Sequence, residues 1–361
     1  MDEMILNAVR AFELPEGEKT AEPFGNGHIN RTYVITAKGT EERYVLQRIN
    51  QHVFHHPDQV QENIRAVTSH LRNKILAEGG DPSRETLRVV PAKDGKPYWL
   101  DGEENWWRVF PFVENTYSMD LPDTPETFEK CGSAFGRFQR RLNDFPAETL
   151  YETIPDFHNT PLRLARLEKA AQEDAAGRLS GVRKELDFFL RRADWAGRLV
   201  RGLEEGRLPL RVTHNDTKLN NVLLDRDTGE ALCVVDLDTV MPGLIAYDFG
   251  EAIRTGASTA EEDERDLSRV GVSLPLVRAY ARGFLREVRA ELSAEEIESL
   301  PWGARIMTLE NGVRFLTDYL EGDHYFAIHR PEHNLDRARA QMTLLERMEE
   351  RWDGMLEALE D

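Results

Sequence analysis

His214, Asp216, Asn221 and Asp236 are residues whose types and spacing suit one reaction, transfer of a phosphoryl group to a hydroxyl. That reaction needs little covalent help from a protein. It needs a carboxylate to hold the attacking hydroxyl and oxygen ligands for magnesium on the nucleotide phosphates. In the run Val212-Thr213-His214-Asn215-Asp216-Thr217-Lys218-Leu219-Asn220-Asn221, Asp216 precedes an asparagine by five positions. Asp236, in Val234-Val235-Asp236-Leu237-Asp238, follows 20 residues after Asp216. Asp216 is expected to accept or orient the hydroxyl proton, and Asn221 and Asp236 are hard oxygen donors of the kind magnesium takes. Lys218 would reach the transferring group as a point charge, and His214 reads as a residue packed under the loop that orients Asp216. A lone His-x-Asp is common in turns; the set of four is what points to catalysis. Asp238 reads equally as a further metal ligand or as a supporting group.

The elements that must hold these residues are legible around them. Val222–Leu224, the turn Asp227-Thr228-Gly229 and Leu232–Val235 predict a hairpin that returns the chain to its start, so that Asp236 would lie beside Asn221. Asp248-Phe249-Gly250 offers another carboxylate, 32 residues after Asp216 and ahead of a predicted helix. It reads as a cap or loop anchor rather than a metal ligand. Phe24-Gly25-Asn26-Gly27-His28-Ile29-Asn30 falls between two strand-like segments, where a glycine loop would close over phosphates. Gly25 and Gly27 are its candidate phosphate contacts, and His28 and Asn30 alternatively face the acceptor. The strand Tyr44-Val45-Leu46-Gln47-Arg48-Ile49-Asn50 carries no lysine. Alternation puts only one of Gln47 and Arg48 toward the phosphates, and the sequence does not fix which; Arg48 would serve as a phosphate clamp where Gln47 supplies only a neutral donor.

Residues 20–113 hold short β-branched or alternating runs, among them Thr32–Ile35, Arg43–Leu46, Leu87–Val90, Pro97–Leu100 and Trp107–Phe110. Val60, Ile64, Val67 and Leu71 recur at helical spacing and predict a helix from Pro57 to about Leu76. After about Ser118 the pattern is mostly helical, over roughly 125–142, 162–178, 184–205, 274–291 and 336–359. The expected architecture is α+β and two-lobed, with a strand-rich nucleotide-binding lobe over 1–114. A mainly helical lobe over 115–361 would carry the catalytic loop and the acceptor site, with a cleft between the two.

Composition excludes other classes. The 361 residues carry 46 Lys+Arg against 65 Asp+Glu, a formal charge of −19, so no basic excess exists to neutralise nucleic acid or an anionic membrane. Hydrophobic residues at 40% and charged residues at 31% fit a folded soluble chain, and no apolar run approaches the ~18 residues of a membrane span. Cys131 and Cys233 are too few for a disulfide framework. The first residues carry acid where a secretory signal carries base. A cytoplasmic protein is expected, with its oligomeric state open.

Together these residues resemble the aminoglycoside phosphotransferase and choline kinase superfamily, which is similar to protein kinases in fold. The resemblance covers about residues 20 to 350. The segments Gly25–Asn30, His214–Asn221, Val235–Gly243, Arg254–Thr259 and Arg314–Asp323 narrow it toward the N-acetylhexosamine 1-kinases. It implies ATP- and magnesium-dependent phosphorylation of the anomeric hydroxyl of N-acetylglucosamine or N-acetylgalactosamine. Asp216 would then be the base, Asn221 and Asp236 would hold magnesium, and Phe112-Val113-Glu114 would give backbone contacts to adenine. Arg314, Asp318, His324 and Tyr325, with His28, offer polar groups and an aromatic wall for a neutral sugar. Arg314 and Tyr325 read equally as a helix salt bridge and a packing aromatic. A kinase of another small hydroxyl compound, such as an amino alcohol, homoserine or an aminoglycoside, is the nearest rival. A catalytically weak nucleotide-binding module and a metal-dependent phosphohydrolase are the more distant ones.

Overall fold

The computed structural model describes residues 2–25 and 30–360, which form two compact units. The first comprises Met1–Ser118, Asp144–Ile154 and Val222–Pro242; the second comprises Met119–Asn143, Pro155–Asn221 and Gly243–Asp361. No helix among the described residues is long and apolar enough to cross a membrane.

The first unit is built on an antiparallel sheet whose strands lie in the spatial order Lys19–Pro23, Arg31–Ala37, Arg43–Arg48, Trp106–Pro111 and Trp99–Leu100. Side chains alternate across it, so each strand serves two environments. Ile35, Tyr44, Leu46, Trp107 and Val109 share one face and pack with Ile5, Val9 and Phe12 of the helix Glu3–Ala11. That helix has no counterpart in the sequence reading, because nine residues hold too few turns to show a periodic stripe. The opposite face carries Thr32, Gln47 and Arg108, which oppose one another across three strands. Leu87–Val90 forms no strand: Val90 makes one bridge to Val109, and Pro91 has no N–H with which to extend the ladder.

A second, small sheet pairs Thr116–Tyr117 with Val222–Asp225 and the latter with Ala231–Val234. This pairing draws the expected hairpin into the first unit. Residues 222–242, which follow 114 in the chain, group with the first unit together with their strand partners Thr116–Tyr117. The helix Pro57–Ala77 holds the segment after the hairpin: Asn63 Nδ2 donates to the carbonyls of Val240 at 3.0 Å and Tyr151 at 2.8 Å.

In the second unit the helices Pro125–Arg141 and Leu274–Val288 pack together, and Ala294–Glu321 packs against Ile245–Gly256, Thr160–Glu173 and His333–Glu350. Ala294–Glu321 runs 28 residues from a capping box of Ser293 and Glu296 to Gly322, whose φ of +108° suits a residue without Cβ. The expected helix over 184–205 is three short ones, Arg183–Leu190, Ala193–Ala196 and Arg198–Glu204. Ala294–Glu321 crosses Ile245–Gly256 at two glycines. A Cβ on Gly303 would overlap the carbonyl oxygen of Ala246, and one on Gly250 would overlap the backbone of Gly303. Alanine is the better helix former by ~1 kcal/mol, yet here the steric cost decides. Gly303→Ala should lower unfolding stability by roughly 1–3 kcal/mol in urea titration; an unchanged or raised midpoint would show that the helices are not in backbone contact.

Candidate active site

The loop after the strand Arg211–Thr213 carries the residues singled out for chemistry, and a buried carboxylate shapes it. Asp248, in the first turn of Ile245–Gly256, is fully buried. Its Oδ2 accepts the His214 N–H at 2.9 Å and its Oδ1 accepts the Asn215 N–H at 2.7 Å. Gln139 Nε2 adds a bond at 2.6 Å and ties the same carboxylate to the Val212 carbonyl. Thr217 Oγ1 donates to the Asp248 carbonyl. Asp248 is thus the loop anchor that its sequence context suggested. Burial pushes its carboxyl above the ordinary value, against the pull of His214 and the donors around it. Asn215 takes φ +64°, which lets two consecutive N–H groups reach one carboxylate.

His214 is fully buried, edge-on to Phe135 at 5.6 Å and Phe138 at 6.0 Å. Its Nδ1 accepts the Asp216 N–H at 3.3 Å. Grouped with the catalytic residues from sequence, it acts on the loop and not on a substrate, because no part of it meets solvent. Asp216 itself keeps 27% of its side chain exposed, and Lys218 Nζ lies 3.2 Å from its Oδ2. Asn221 Nδ2 donates to the Asp216 carbonyl at 2.8 Å and to Oδ2 at 3.2 Å. With that nitrogen engaged, Asn221 offers Oδ1, the atom a hard cation would take.

In the first unit, Val222, the residue after Asn221, pairs with Val234, two places before Asp236. Asp236 is exposed and left-handed at φ 59°, ψ 58°. Asp238, by contrast, is 4% exposed with both carboxylate oxygens taken: Arg108 Nη1 binds Oδ1, and Asn30 Nδ2 donates to Oδ2 at 2.7 Å. It is a supporting group. Asn30 also accepts the Asn50 N–H at 3.0 Å, so its amide clasps two parts of this unit instead of facing an acceptor. Among the described residues no group of three or more His, Cys, Asp or Glu could hold a metal. An Asn oxygen and an Asp carboxylate, completed by phosphate oxygens and water, is a donor set that fits magnesium.

Arg108 escaped the sequence reading. It sits within Trp107-Arg108-Val109-Phe110, a run that reads as an apolar strand, yet it is 1% exposed. Its Nε donates to Gln47 Oε1 at 2.8 Å. Arg48 lies on the other face, opposite Trp107, so alternation rules it out as partner of the groups around Asp238. The signal available in the sequence was the second acid of Asp236-Leu237-Asp238, which needed a buried cation.

Gly25 has φ +73° at the end of the first strand, in open space; Gly27 and His28 lie outside the described residues. Phe24 packs edge-on to Phe112 at 5.6 Å. In the expected hinge the Phe112 N–H bonds the Arg43 carbonyl, and the Val113 and Glu114 carbonyls accept from Thr116 and Arg84. The Glu114 side chain pairs with Arg43. Each of those carbonyls keeps a second lone pair.

In the second unit Arg163, Arg166, Arg314, Asp318, Glu321 and Tyr325 line a shallow pocket. Arg314 stacks near the rings of Phe326 at 5.3 Å, Phe157 at 5.6 Å and Tyr325 at 5.8 Å. Tyr325 is exposed, with its ring edge-on to Phe326 at 4.8 Å. Asp318, like Asp248, is spent on backbone: it accepts the N–H groups of His324, Tyr325 and Phe326. Burial, then the charge of Arg314, lowers the Arg163 pKa.

The chain belongs to the phosphotransferase enzyme family, whose model matches residues 20–292. It is similar in fold to a choline kinase from Cryptosporidium parvum, at 14% identity and a TM-score of 0.59, over 98% of this chain and 97% of that one. An aminoglycoside phosphotransferase from Alicyclobacillus acidocaldarius matches at 15% identity and a TM-score of 0.58, over 98% and 95%. A spectinomycin phosphotransferase solved with ADP and spectinomycin matches at 12% identity and a TM-score of 0.56, over 94% and 96%. The α+β architecture, strands first and helices after, is the kinase-like fold of these neighbours.

Asp248→Ala would orphan two buried N–H groups and the Gln139 amide. It should cost roughly 3–5 kcal/mol of stability, with Asp248→Asn costing less because one oxygen remains. Equal, small losses for both in urea titration would remove Asp248 from its anchoring role.

Proposed function

We propose that the protein transfers the γ-phosphoryl group of ATP to the anomeric hydroxyl of an N-acetylhexosamine, giving the sugar 1-phosphate and ADP. One observation carries the phosphotransferase part: Asp216 stands partly exposed on an anchored loop with its Oδ2 held by both Asn221 and Lys218. That leaves Oδ1 to take the proton of the attacking hydroxyl. The sugar O1 forms a bond to the γ-phosphorus as the bond to the bridging oxygen of ADP breaks. An anomeric hydroxyl is more acidic than an ordinary alcohol, so orientation by Asp216 is most of what the step needs. Asn221 Oδ1 and the exposed Asp236 carboxylate would hold magnesium, which supplies charge neutralisation on the phosphate oxygens. Lys218 would move from Asp216 to the transferring group as negative charge grows there. Gly25 and Gly27 would close over the phosphates, and Phe112–Glu114 would border the adenine.

The acceptor reading draws on the resemblance of the flanking segments and on the chemistry of the arginine-lined pocket. A cationic acceptor such as an amino alcohol or aminoglycoside is matched by unpaired carboxylates. This pocket offers the reverse: Asp318 is occupied by backbone N–H groups and Glu321 by Arg166, while Arg314 lies against aromatic rings and its charge acts on the buried Glu310. A guanidinium of that kind suits the acetamido carbonyl of a neutral sugar, with Tyr325 as its wall.

A panel of N-acetylhexosamines, choline, homoserine and aminoglycosides with coupled ADP detection tests the acceptor, and phosphorus NMR locates the phosphate. Turnover with N-acetylglucosamine or N-acetylgalactosamine and phosphate on C1 are expected; phosphorylation of an amino alcohol alone would overturn the sugar reading. Asp216→Asn should lower turnover ~10²–10⁴-fold while ADP affinity stays within about twofold. Near-normal turnover would remove Asp216 as base.

A further inference from the structure

We infer that Arg108 and Asp238 form a positioning pair that sets the carboxylate of Asp236, with Arg108 on the strand Trp106–Pro111 supplying the buried cation that the strand Arg43–Arg48 lacks. The inference rests on the magnesium-dependent reading given above.

A continuous line of bonds runs across the first unit. Thr32 Oγ1 accepts from Gln47 Nε2 at 3.1 Å, and Gln47 Oε1 accepts from Arg108 Nε at 2.8 Å. Arg108 then binds Asp238, Asp238 accepts from Asn30, and Asn30 accepts from the backbone of Asn50 at the end of the same sheet. The guanidinium also lies 5.2 Å from the Phe110 ring. The two charges at the centre of the line meet almost no solvent, at 1% and 4% exposure. Such a pair is poor value as a source of stability, since apolar residues of similar volume stabilise a core as well or better. What it does offer is direction: a charged fork fixes one carboxylate in one orientation.

The orientation matters because of where Asp238 lies. Asp236 is held left-handed, a conformation unfavourable for a residue with a Cβ that persists when its surroundings impose it. Those surroundings include the buried Leu237, the Arg108–Asp238 bond, and the Asn63 bond to the Val240 carbonyl. Release Asp238 and the segment loses its fixed point two residues from the exposed carboxylate. The removal of such a supporting bond typically weakens metal binding ~10–100-fold.

The test separates positioning from mere folding. Arg108→Gln, Asp238→Asn and the apolar double variant Arg108→Met/Asp238→Leu are compared with wild type in urea unfolding and in manganese binding to the chain–ADP complex by electron paramagnetic resonance. The single variants should lose stability and bind manganese ~10-fold or more weakly. The double variant should recover stability yet keep the weakened manganese binding. Recovery of both together would show that the pair serves the fold alone and overturn the inference. Arg108→Lys covers the case in which the double variant does not fold. It keeps the charge but loses the fork, and wild-type manganese affinity in it would overturn the inference as well. A wild-type chain that binds neither ADP nor manganese is a different result: it removes the phosphotransferase reading and the inference with it.

Discussion

A buried N–H must find an acceptor, and the Asp248 carboxylate provides one for each of two successive N–H groups, at His214 and Asn215. The loop after the strand Arg211–Thr213 has its shape because of that. Turning Asn215 left-handed to serve Asp248 lets the Asp216 N–H meet the His214 ring, and leaves the Asp216 side chain partly in solvent. Asn221 then bonds both the carbonyl and the carboxylate of Asp216. Were Asp248 apolar, those buried donors would lose their acceptor, and the loop would open to reach water. The same device recurs at Asp318, which gathers three N–H groups of the turn that carries Tyr325.

Charge in this protein divides between architecture and chemistry. Arg254 with Glu251, and Arg108 with Asp238, lie out of solvent and are saturated by their partners. Glu310, one turn before Arg314, accepts from Thr160 and bonds His158 in the core. Burial alone would raise its carboxyl, but His158 and Arg314 offset that and hold it below the ordinary value. Beside the loop and hairpin, Asp216 stays partly exposed and Asp236 is exposed, as is Tyr325 at the pocket. A net charge of −19 therefore says little about the acceptor, because the pocket that would receive it is lined by arginines.

Much of this was legible beforehand where a local pattern reports a local outcome. Alternation marks the strands at Thr32–Ile35 and Trp107–Phe110, and the five-residue spacing of Asp216 and Asn221 marks a loop whose two side chains bond. Legibility fails where the partner is distant. Arg108 in an apolar strand looks like a break in pattern until Asp238, 130 positions on, is set beside it. Asn30 looks available until Asp238 and Asn50 take its amide. The helix Ala294–Glu321 went unread because it is buried on nearly every side and contains Pro301, so it shows no polar stripe and carries a residue that usually ends helices.

Anomalous diffraction from crystals grown with ADP and manganese addresses the proposed chemistry most directly. The ion should sit on the Asn221 Oδ1 and the Asp236 carboxylate at about the ~2.0–2.2 Å of a hard octahedral cation, with Asp216 facing the acceptor side. An ion bound by Asp216 itself, or an Asp236 carboxylate turned away from the nucleotide, would contradict the assignment.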